Sequence, residues 1–243
     1  MAEAPVRVGL GRAVGWFTGA VLPGVVDANL AHQRPHVPER LAAARAAVGA
    51  VTGTDHRAWH LMRQVHGSEV GVVDASTPPG AELRDVDALV TSEPGRVLVV
   101  LTADCLPVLI AGADAVAVVH AGWRGIVADV VGRTVDALVA RGEDPVRLAV
   151  AVGPAIGGCC YEVGEEVADL VGDVAPGAVA AAPAGGRPHV DIVAALLGRL
   201  EDLGVPAPVR VGPCTRCGPG AWFSHRRDPA AGRQAGLLRM PTP

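Results

Sequence analysis

The sequence predicts an α+β fold, in which helices cover mixed β-sheets in layers as a single domain over residues 1–243. Half of the 243 residues are hydrophobic and 19 % are charged, so the chain can bury a large core. Three strand-length runs after residue 95 are apolar at consecutive positions, which is typical of strands covered on both faces. Helical patterns interrupt the strands without strictly alternating with them, which favours an α+β arrangement.

Local signals predict the individual elements. The predicted strands are residues 6–10, 14–18, 59–65, 69–74, 96–102, 107–112, 115–120, 147–154 and 208–213. The predicted helices are residues 38–50, 126–142, 164–172 and 190–204. Pro38 suits the first turn of a helix, and Gly142 and Gly204 are typical of helix ends. The His66-Gly67-Ser68 turn between two β-rich runs predicts a hairpin, and residues 181–189 are predicted to be a loop.

Composition excludes several classes of function. All 21 basic residues are arginine, so the chain has no lysine ε-amine. This excludes Schiff-base catalysis, covalent attachment of pyridoxal phosphate and P-loop nucleotide binding. The net charge of −4 and the scattered arginines give no footprint for nucleic acid. The most apolar window, residues 98–119, contains Asp104 and Asp114, which argues against a membrane span. Five cysteines and no clear signal-peptide cleavage site predict a cytoplasmic protein with reduced thiols.

Three potential metal ligands follow hydrophobic strands. His66 lies in a Gln-Val-His-Gly turn, Cys105 follows Thr-Ala-Asp, and His120 begins His-Ala-Gly-Trp-Arg-Gly. Strand ends present side chains to clefts, so two imidazoles and one thiolate there could form a catalytic zinc site with an open fourth position. Their wide spacing leaves an alternative, in which His66 ends a turn, Cys105 is a small buried residue and His120 is a hydrogen-bonded core histidine.

A second group of cysteines competes for a metal. Cys160 and Glu162, followed by Cys214 and Cys217, have the form C-x-E…P-C-x-x-C, the all-cysteine version of a zinc deaminase signature in which the glutamate moves protons. Against this, 53 residues separate the two halves, and neither half opens a predicted helix because Pro219 follows so closely. The alternative is a set of free thiols near one another.

Arginines are the candidates for binding an anion. Arg124 lies close to His120 in sequence, and Arg226 and Arg227 follow directly after His225. A guanidinium suits phosphate recognition, although a solvated surface is the alternative for the pair. The glycine-rich segment 153–158 follows a predicted strand, so it could bind an anion through its amides or simply form a turn.

Taken together, these segments resemble a known family. RQVHGSEV, DALVT, LTADCLPVLI, AVVHAGWRG, GPAIGGCCYEV and FSHRRD occur in the order typical of the YfiH-like family, also called the laccase-domain or polyphenol oxidase family. The resemblance is strongest from Trp59 to Gln234. It implies a one-domain α+β fold and a zinc-dependent purine nucleoside phosphorylase that cleaves adenosine with phosphate to adenine and ribose 1-phosphate. It also implies action on inosine, guanosine and methylthioadenosine, and a capacity to deaminate adenosine.

The resemblance assigns roles to residues of this chain. It implies that His66, Cys105 and His120 bind Zn²⁺. We expect Arg124 to position an anion or the substrate. We expect Asp104 to orient a ligand or carry protons, with turn stabilisation as the alternative. Cys105, His120, Arg124 and Asp104 are therefore the candidate catalytic residues, and the expected partners are a purine nucleoside and phosphate, with no nucleic acid and no membrane.

Further residues are expected to line the substrate pocket. They are Arg124, His225, Arg226 and Cys160, with Cys159 beside them. The N-terminal segment from Thr18 to Glu39 departs from the family pattern, because Asn29-Leu30 is retained whereas the usual arginine and acidic loop are missing. This departure puts the activity or the substrate range in question.

Three other functions stay open. A thiol hydrolase would use Cys105 as nucleophile and His120 as base, and a non-catalytic binding protein would need neither. A copper oxidoreductase is disfavoured, because a multicopper oxidase needs a blue-copper site plus roughly eight further histidines. The chain has eight histidines in total and no His-x-His pair.

Overall fold

The computed structural model describes residues 4–25, 27–33, 36–180, 186–219, 222–240 and 242. Within them, the strands are β1 (Val6–Leu10), β2 (Ala13–Phe17), β3 (Leu61–Arg63), β4 (Val70–Val72), β5 (Glu82–Arg84), β6 (Ala88–Thr91), β7 (Val97–Thr102), β8 (Leu106–Ala111), β9 (Val116–Ala121), β10 (Ala149–Val152), β11 (Val179–Ala180), β12 (His189–Val190), β13 (Val209–Arg210) and β14 (Gln234–Arg239). The helices are α1 (Pro38–Thr52), α2 (Trp123–Val127), α3 (Val130–Val139), α4 (Glu165–Val174) and α5 (Ile192–Asp202). The predicted α+β class is confirmed.

Two β-sheets stack face to face at the centre of the fold. One has the strand order β1-β2-β14-β7 and is antiparallel throughout. The other has the order β13-β10-β8-β9-β6-β4, with antiparallel pairs at its centre and a parallel pair at each edge. Helices α3, α4 and α5 pack on the outer face of the six-stranded sheet, and α1 packs on the outer face of the other. The result is a layered arrangement of helix, sheet, sheet and helices.

Side-chain alternation explains the apolar runs that predicted the strands. In β7, Leu98 and Val100 point between the two sheets, whereas Val97, Val99 and Leu101 point towards α1. Strands β8 and β9 alternate in the same way between the inter-sheet core and the helices. Both faces of these strands are therefore covered, and each fully buried Val or Leu contributes roughly 1.5–3 kcal/mol to folding.

Strand β14 is central but was absent from the predicted strands. It lies between β2 and β7, with Gln234 paired to Thr102, the last residue of β7. Its local signal is weak because Gly236 interrupts the apolar run. A Cβ on Gly236 would lie 3.1 Å from a methyl carbon of Val100, so the glycine lets the strands and the second sheet approach closely. This pairing brings the segment before β14 to the ends of the β7 and β8 strands.

The hairpin predicted from residues 59–74 is wrong. Strand β3 pairs with β5, and β4 pairs with β6, and both pairs are parallel. The His66-Gly67-Ser68 turn therefore passes from one sheet to the other. Its main-chain N–H groups bond to the carboxylate of Asp87 instead of across a hairpin.

The helix predicted over residues 126–142 is in fact two helices. Helix α2 begins earlier, at Trp123, and Asp129 adopts a left-handed conformation with φ of 59° between α2 and α3. The Asp129 carboxylate accepts a hydrogen bond from the N–H of Gly132 and pairs with Arg199 on α5 at 2.6 Å, so it caps α3 and ties it to α5.

The remaining predicted helices need only small changes, whereas the strand predicted over residues 208–213 is reduced to Val209–Arg210. Helices α1, α4 and α5 lie within two residues of their predicted bounds. Of the predicted loop 181–189, residues 181–185 lie outside the described residues, and His189 belongs to β12. No helix among the described residues is long and apolar enough to cross a membrane.

Glu143 closes the β8–β9 hairpin at the end remote from His120. Its buried carboxylate accepts hydrogen bonds from the N–H groups of Ala113, Asp114 and Ala115, each at 2.7 Å. Replacing it, as in Glu143→Ala, leaves these donors without their acceptor, so the free energy of unfolding should fall by about 2–3 kcal/mol in urea denaturation. Glu143→Gln keeps one acceptor oxygen and should lose less. Equal stability of the alanine variant and the wild type would contradict this role.

Candidate active site

Three strand ends bring His66, Cys105 and His120 together. His120 lies on β9, Cys105 directly precedes β8, and His66 lies in the turn after β3. Their ligand atoms all lie within 4.8 Å of one another, and the two imidazole rings meet edge to face with centroids 4.8 Å apart. We call this group the metal centre. The structure thus gathers the three residues that the sequence singled out.

A buried carboxylate, Asp87, holds the metal centre in place. It accepts hydrogen bonds from the N–H groups of Val65, His66 and Gly67 at 3.1, 2.9 and 2.7 Å, and from Nδ1 of His120 at 2.8 Å. Although burial opposes ionisation, these donors hold the pKa of Asp87 below its ordinary value. Because Nδ1 of His120 donates to the carboxylate, Nε2 is left to bind a metal.

Sequence reasoning did not identify Asp87. The residue occurred only as the first letter of the DALVT segment, directly before the wholly buried strand β6. A single carboxylate at the start of an apolar strand is a weak signal. A charged residue next to a buried strand nonetheless needs buried hydrogen-bond partners, and a search for such residues could have identified Asp87.

Two further residues shape the metal centre. The Gln64 side chain accepts a hydrogen bond from the Leu101 N–H at 3.0 Å and donates one to the Leu101 carbonyl at 2.8 Å. These two bonds attach the residue before the His66 turn to the main chain of β7. A Cβ on Gly122 would lie 3.0 Å from Sγ of Cys105 and 3.2 Å from Cδ2 of His66. The absence of a side chain at Gly122 therefore leaves room for both ligands.

The metal-free site favours a thiolate beside an imidazolium. Burial alone would raise the pKa of Cys105, but the neighbouring His120 and His66 lower it to about 6. Burial disfavours the charged form of His120, but the Cys105 thiolate and Asp87 raise its pKa to about 9. A thiolate and two imidazoles form a nitrogen and sulfur donor set with one open position, so these residues fit a metal, which would displace the imidazolium proton on binding.

A cavity of about 530 Å³ opens over the metal centre. Three arginines, Arg124, Arg226 and Arg233, are among its lining residues, as are His225 and Tyr161. The Arg226 guanidinium lies 5.0 Å from the centre of the Tyr161 ring. The cavity therefore combines cationic groups with a flat aromatic face, and it contains Arg124, Arg226 and His225 as the sequence anticipated.

Asp104 stabilises the turn at the edge of this cavity. It is buried, with φ of 93°, and its two carboxylate oxygens accept hydrogen bonds from the Thr215 hydroxyl at 2.6 Å and the Arg226 N–H at 2.7 Å. These contacts match the turn-stabilising alternative for Asp104. They also fix the main chain of Arg226 beside the cavity.

Cys160 lies elsewhere than expected, which corrects its assignment to the substrate pocket. The chain turns at Gly157, where the Cys160 N–H donates to the Gly157 carbonyl. Cys160 is buried, its sulfur groups with those of Cys159, Cys214 and Cys217, and it is not among the described residues that line the cavity. We call these four residues the four-cysteine cluster. Partial desolvation and hydrogen bonding with the neighbouring cysteine sulfurs raise the pKa of Cys159 to about 12, whereas main-chain N–H groups outweigh burial at Cys214 and lower its pKa to about 7.

The remaining candidates have structural contacts. No helix begins at Cys160 or Cys214 among the described residues, and the Glu162 side chain is exposed, so the geometry departs from the zinc deaminase signature. The Arg227 guanidinium donates to the carbonyls of Thr215, Arg216 and Trp222, which anchors the segment before β14. The N–H of Gly157 in the glycine-rich segment donates to the sulfur of Cys214 at 3.3 Å.

Comparison with known proteins shows what this chain is similar to. Residues 17–241 match the family model described as multi-copper polyphenol oxidoreductase laccase. The chain is 41 % identical over 205 residues to the purine nucleoside phosphorylase ORF3 of Streptomyces griseus, covering 83 % of this chain and 82 % of the relative. It is 39 % identical over 225 residues to a purine nucleoside phosphorylase of Mycobacterium tuberculosis, covering 91 % and 88 %.

Solved structures share the whole fold. YlmD from Geobacillus stearothermophilus superposes with a TM-score of 0.89 and 27 % identity, covering 100 % of this chain and 98 % of that one. The hypothetical protein YfiH from Bacillus licheniformis superposes with a TM-score of 0.86 and 25 % identity, covering 94 % and 93 %. The similarity therefore includes the N-terminal segment that departs from the family motif.

Removing the Asp87 carboxylate should weaken metal binding. Asp87→Ala leaves His120 without its orienting acceptor and frees the turn that carries His66, so zinc affinity measured by chelator competition should fall about 10- to 100-fold. Asp114→Asn, at an exposed carboxylate on the opposite end of the β8–β9 hairpin, is the matched control and should bind zinc like the wild type. Unchanged affinity in Asp87→Ala would contradict the proposed support.

The Cys105 thiol should titrate far below an ordinary cysteine. In chelator-treated protein, its alkylation rate should rise with increasing pH through about 6 and then level off, because the thiolate is already formed. Site-resolved mass spectrometry over a pH series separates Cys105 from the other thiols. In Asp87→Asn the midpoint should move upwards, because the imidazolium of His120 loses its anionic acceptor. A wild-type midpoint near 9 would contradict the thiolate–imidazolium pair.

Proposed function

The chain belongs to the YfiH-like family, whose model is described as multi-copper polyphenol oxidoreductase laccase, and from this premise we propose that it is a zinc-dependent purine nucleoside phosphorylase. The two relatives of that name described above are 41 % and 39 % identical to it over most of both chains. The observation that carries the proposal is the metal centre of two histidines and one cysteine at the base of an arginine-lined cavity. The proposed reaction converts adenosine and phosphate to adenine and ribose 1-phosphate, with inosine, guanosine and methylthioadenosine as further substrates.

Zinc is the proposed metal because of the donor set. Two imidazoles and a thiolate are typical zinc ligands, and three protein ligands leave one position for substrate. Bound there, zinc would polarise a substrate oxygen as a Lewis acid. The chain has too few grouped histidines for a multicopper site. Within the described residues, only His66 and His120 of the eight histidines belong to a potential metal-ligand group. The word laccase in the family description therefore does not describe the proposed reaction.

Arginine is the permanently charged side chain available to bind phosphate, because the chain has no lysine. Arg124 lies 4.2 Å from the ring centre of Trp123, at the start of α2, and its exposed guanidinium can form two parallel hydrogen bonds to a phosphate. Arg226 and Arg233 line the same cavity. We assign Arg124 to phosphate and treat the other two as supporting cations.

The purine has aromatic and polar neighbours in the cavity. Phosphorolysis at the anomeric carbon builds positive charge on the ribose and negative charge on the departing base. The Tyr161 ring offers a face on which a base can stack. His225 lines the cavity and is assigned to hydrogen bonding with the purine. Both residues would stabilise the leaving base, while Asp104 keeps Arg226 in place.

A second candidate function has a specific observation in its favour. Cys105, His120 and Asp87 form a thiol–imidazole–carboxylate series with a depressed thiol pKa, which is the arrangement of a cysteine-nucleophile hydrolase. His66 beside the same thiol favours the metal-binding alternative, because a nucleophile needs no second imidazole. Turnover that survives removal of all metal would identify the hydrolase.

The location and the side activity are part of the same proposal. Five cysteines without a disulfide are compatible with a reducing compartment, and we propose a cytoplasmic enzyme. We also propose that the cavity deaminates adenosine as a side activity. Its product, inosine, is distinguishable from adenine in one chromatographic assay.

Adenosine should be cleaved by the purified protein only when phosphate is present. Wild-type protein should release adenine and ribose 1-phosphate, measured by chromatography, and omission of phosphate is the control. Cys105→Ala removes a metal ligand and should reduce turnover at least about 100-fold, as should chelation. Intact adenosine under every condition would contradict the enzyme proposal, and phosphate-independent turnover after chelation would favour the hydrolase.

A further inference from the structure

The four-cysteine cluster is made by two turns from distant parts of the chain. The first turn carries two adjacent cysteines after β10, and the second carries a Cys-x-x-Cys pair after β13. The second turn is closed by a hydrogen bond from the Gly218 N–H to the Cys214 carbonyl at 2.8 Å. The Thr215 N–H donates to the Ala155 carbonyl at 3.0 Å and joins the two segments. Main-chain pairing therefore presets the positions of the thiols.

The sulfur positions fit a single ion. All four sulfurs lie within 4.8 Å of one another, and those of Cys159 and Cys217 are 3.6 Å apart. A disulfide would need a separation of about 2.0 Å. Tetrahedral zinc with Zn–S bonds of about 2.3 Å places its sulfurs about 3.8 Å apart. An iron–sulfur cluster would spread the cysteines further, since several irons and sulfides lie between them.

The surroundings of the second turn supply a hydrogen-bond donor to one of the four sulfurs. The Gly157 N–H donates to Sγ of Cys214 at 3.3 Å. A Cβ on Gly157 would lie 3.3 Å from Sγ of Cys159, so a side chain there would crowd the sulfurs. The Arg227 guanidinium donates to the Thr215 carbonyl at 3.0 Å, so a positive charge lies within hydrogen-bonding distance of the second turn.

We propose that the four-cysteine cluster binds a structural zinc ion, separate from the metal centre. Four thiolates complete the tetrahedral coordination of zinc and leave no position open for substrate, so the site is structural and not catalytic. The Cys-x-x-Cys pair has the spacing found in closed zinc sites. Cysteines that the substrate pocket does not use thereby acquire a role.

The bound zinc would brace one wall of the cavity. Tyr161 directly follows Cys160, and the Arg226 guanidinium donates to the Glu162 carbonyl at 2.6 Å while it stacks on the Tyr161 ring. The second turn leads through Thr215 to the Asp104 carboxylate. Joining the two turns through an ion therefore fixes the wall formed by the aromatic ring and the arginine.

Metal counting on matched variants tests the proposal. The protein is purified under reducing conditions with zinc, and bound metals are measured by mass spectrometry. Wild type should carry two zinc ions per chain, and both Cys105→Ser and the double variant Cys159→Ser/Cys217→Ser should carry one. If the metal centre binds no zinc, the expected values are one, one and none, so failure of the proposed function is distinguishable. Equal zinc content in the wild type and the double variant, or iron with sulfide in the cluster, overturns the proposal.

A measurement on the wild-type chain covers the case in which the double variant fails to fold. Cys159 and Cys217 are exposed and therefore accessible to iodoacetamide, and a bound metal would protect both sulfurs from it. Zinc-loaded native protein should show these two cysteines alkylated at least about tenfold more slowly than chelator-treated protein, by site-resolved mass spectrometry. Equal rates in both samples, or a disulfide between the two residues in the purified chain, overturn the proposal.

Discussion

The buried carboxylate of Asp87 is the interaction on which the metal centre depends. It connects two strand ends that are not neighbours in a sheet: the turn after β3 and the histidine on β9. A fully buried carboxylate is tolerated only when donors replace its water, and here three main-chain N–H groups and one imidazole do so. Hydrogen bonds to a charged group contribute about 1.5–3 kcal/mol each, so the same contacts stabilise the fold and fix the ligands.

A second buried carboxylate organises the opposite side of the cavity. Asp104 accepts hydrogen bonds from Thr215 and from the main chain of Arg226, which ties the segment before β14 to the β7–β8 turn. The cavity therefore lies between two anchored groups of residues, with the metal ligands held by Asp87 and the main chain of Arg226 held by Asp104. Its position follows from the β14–β7 pairing, because Gln234 pairs with Thr102 at the end of β7.

Predictions from sequence succeeded where a signal was local and repeated. The apolar runs of β7, β8 and β9 and the helix beginning at Pro38 need only their own residues to be recognised. The hairpin prediction after β3 was wrong because the main chain of the turn bonds to Asp87, 20 to 22 residues away, instead of across the turn. Strand β14 was missed because its stability comes from two neighbouring strands and not from its own pattern.

The sequence predicted the candidate metal ligands but not the residue that holds them in position. His66, Cys105 and His120 belong to recognisable motifs, whereas Asp87 supports them from a segment with no metal-binding pattern of its own. The structure was also needed to separate Cys105 from the other four cysteines, because the sequence alone assigned Cys160 to the substrate pocket. In the structure, Cys105 lies with two histidines, and the other four cysteines form a separate cluster.

The most direct test of this account is an anomalous difference map from crystals of the protein grown with zinc, recorded at the zinc absorption edge. The central claim is that three strand ends, held by Asp87, form one metal centre. The account predicts an anomalous peak within bonding distance of His66 Nε2 or Nδ1, Cys105 Sγ and His120 Nε2, with Nδ1 of His120 still bonded to Asp87. A zinc-bound crystal without a peak between these three residues would contradict it.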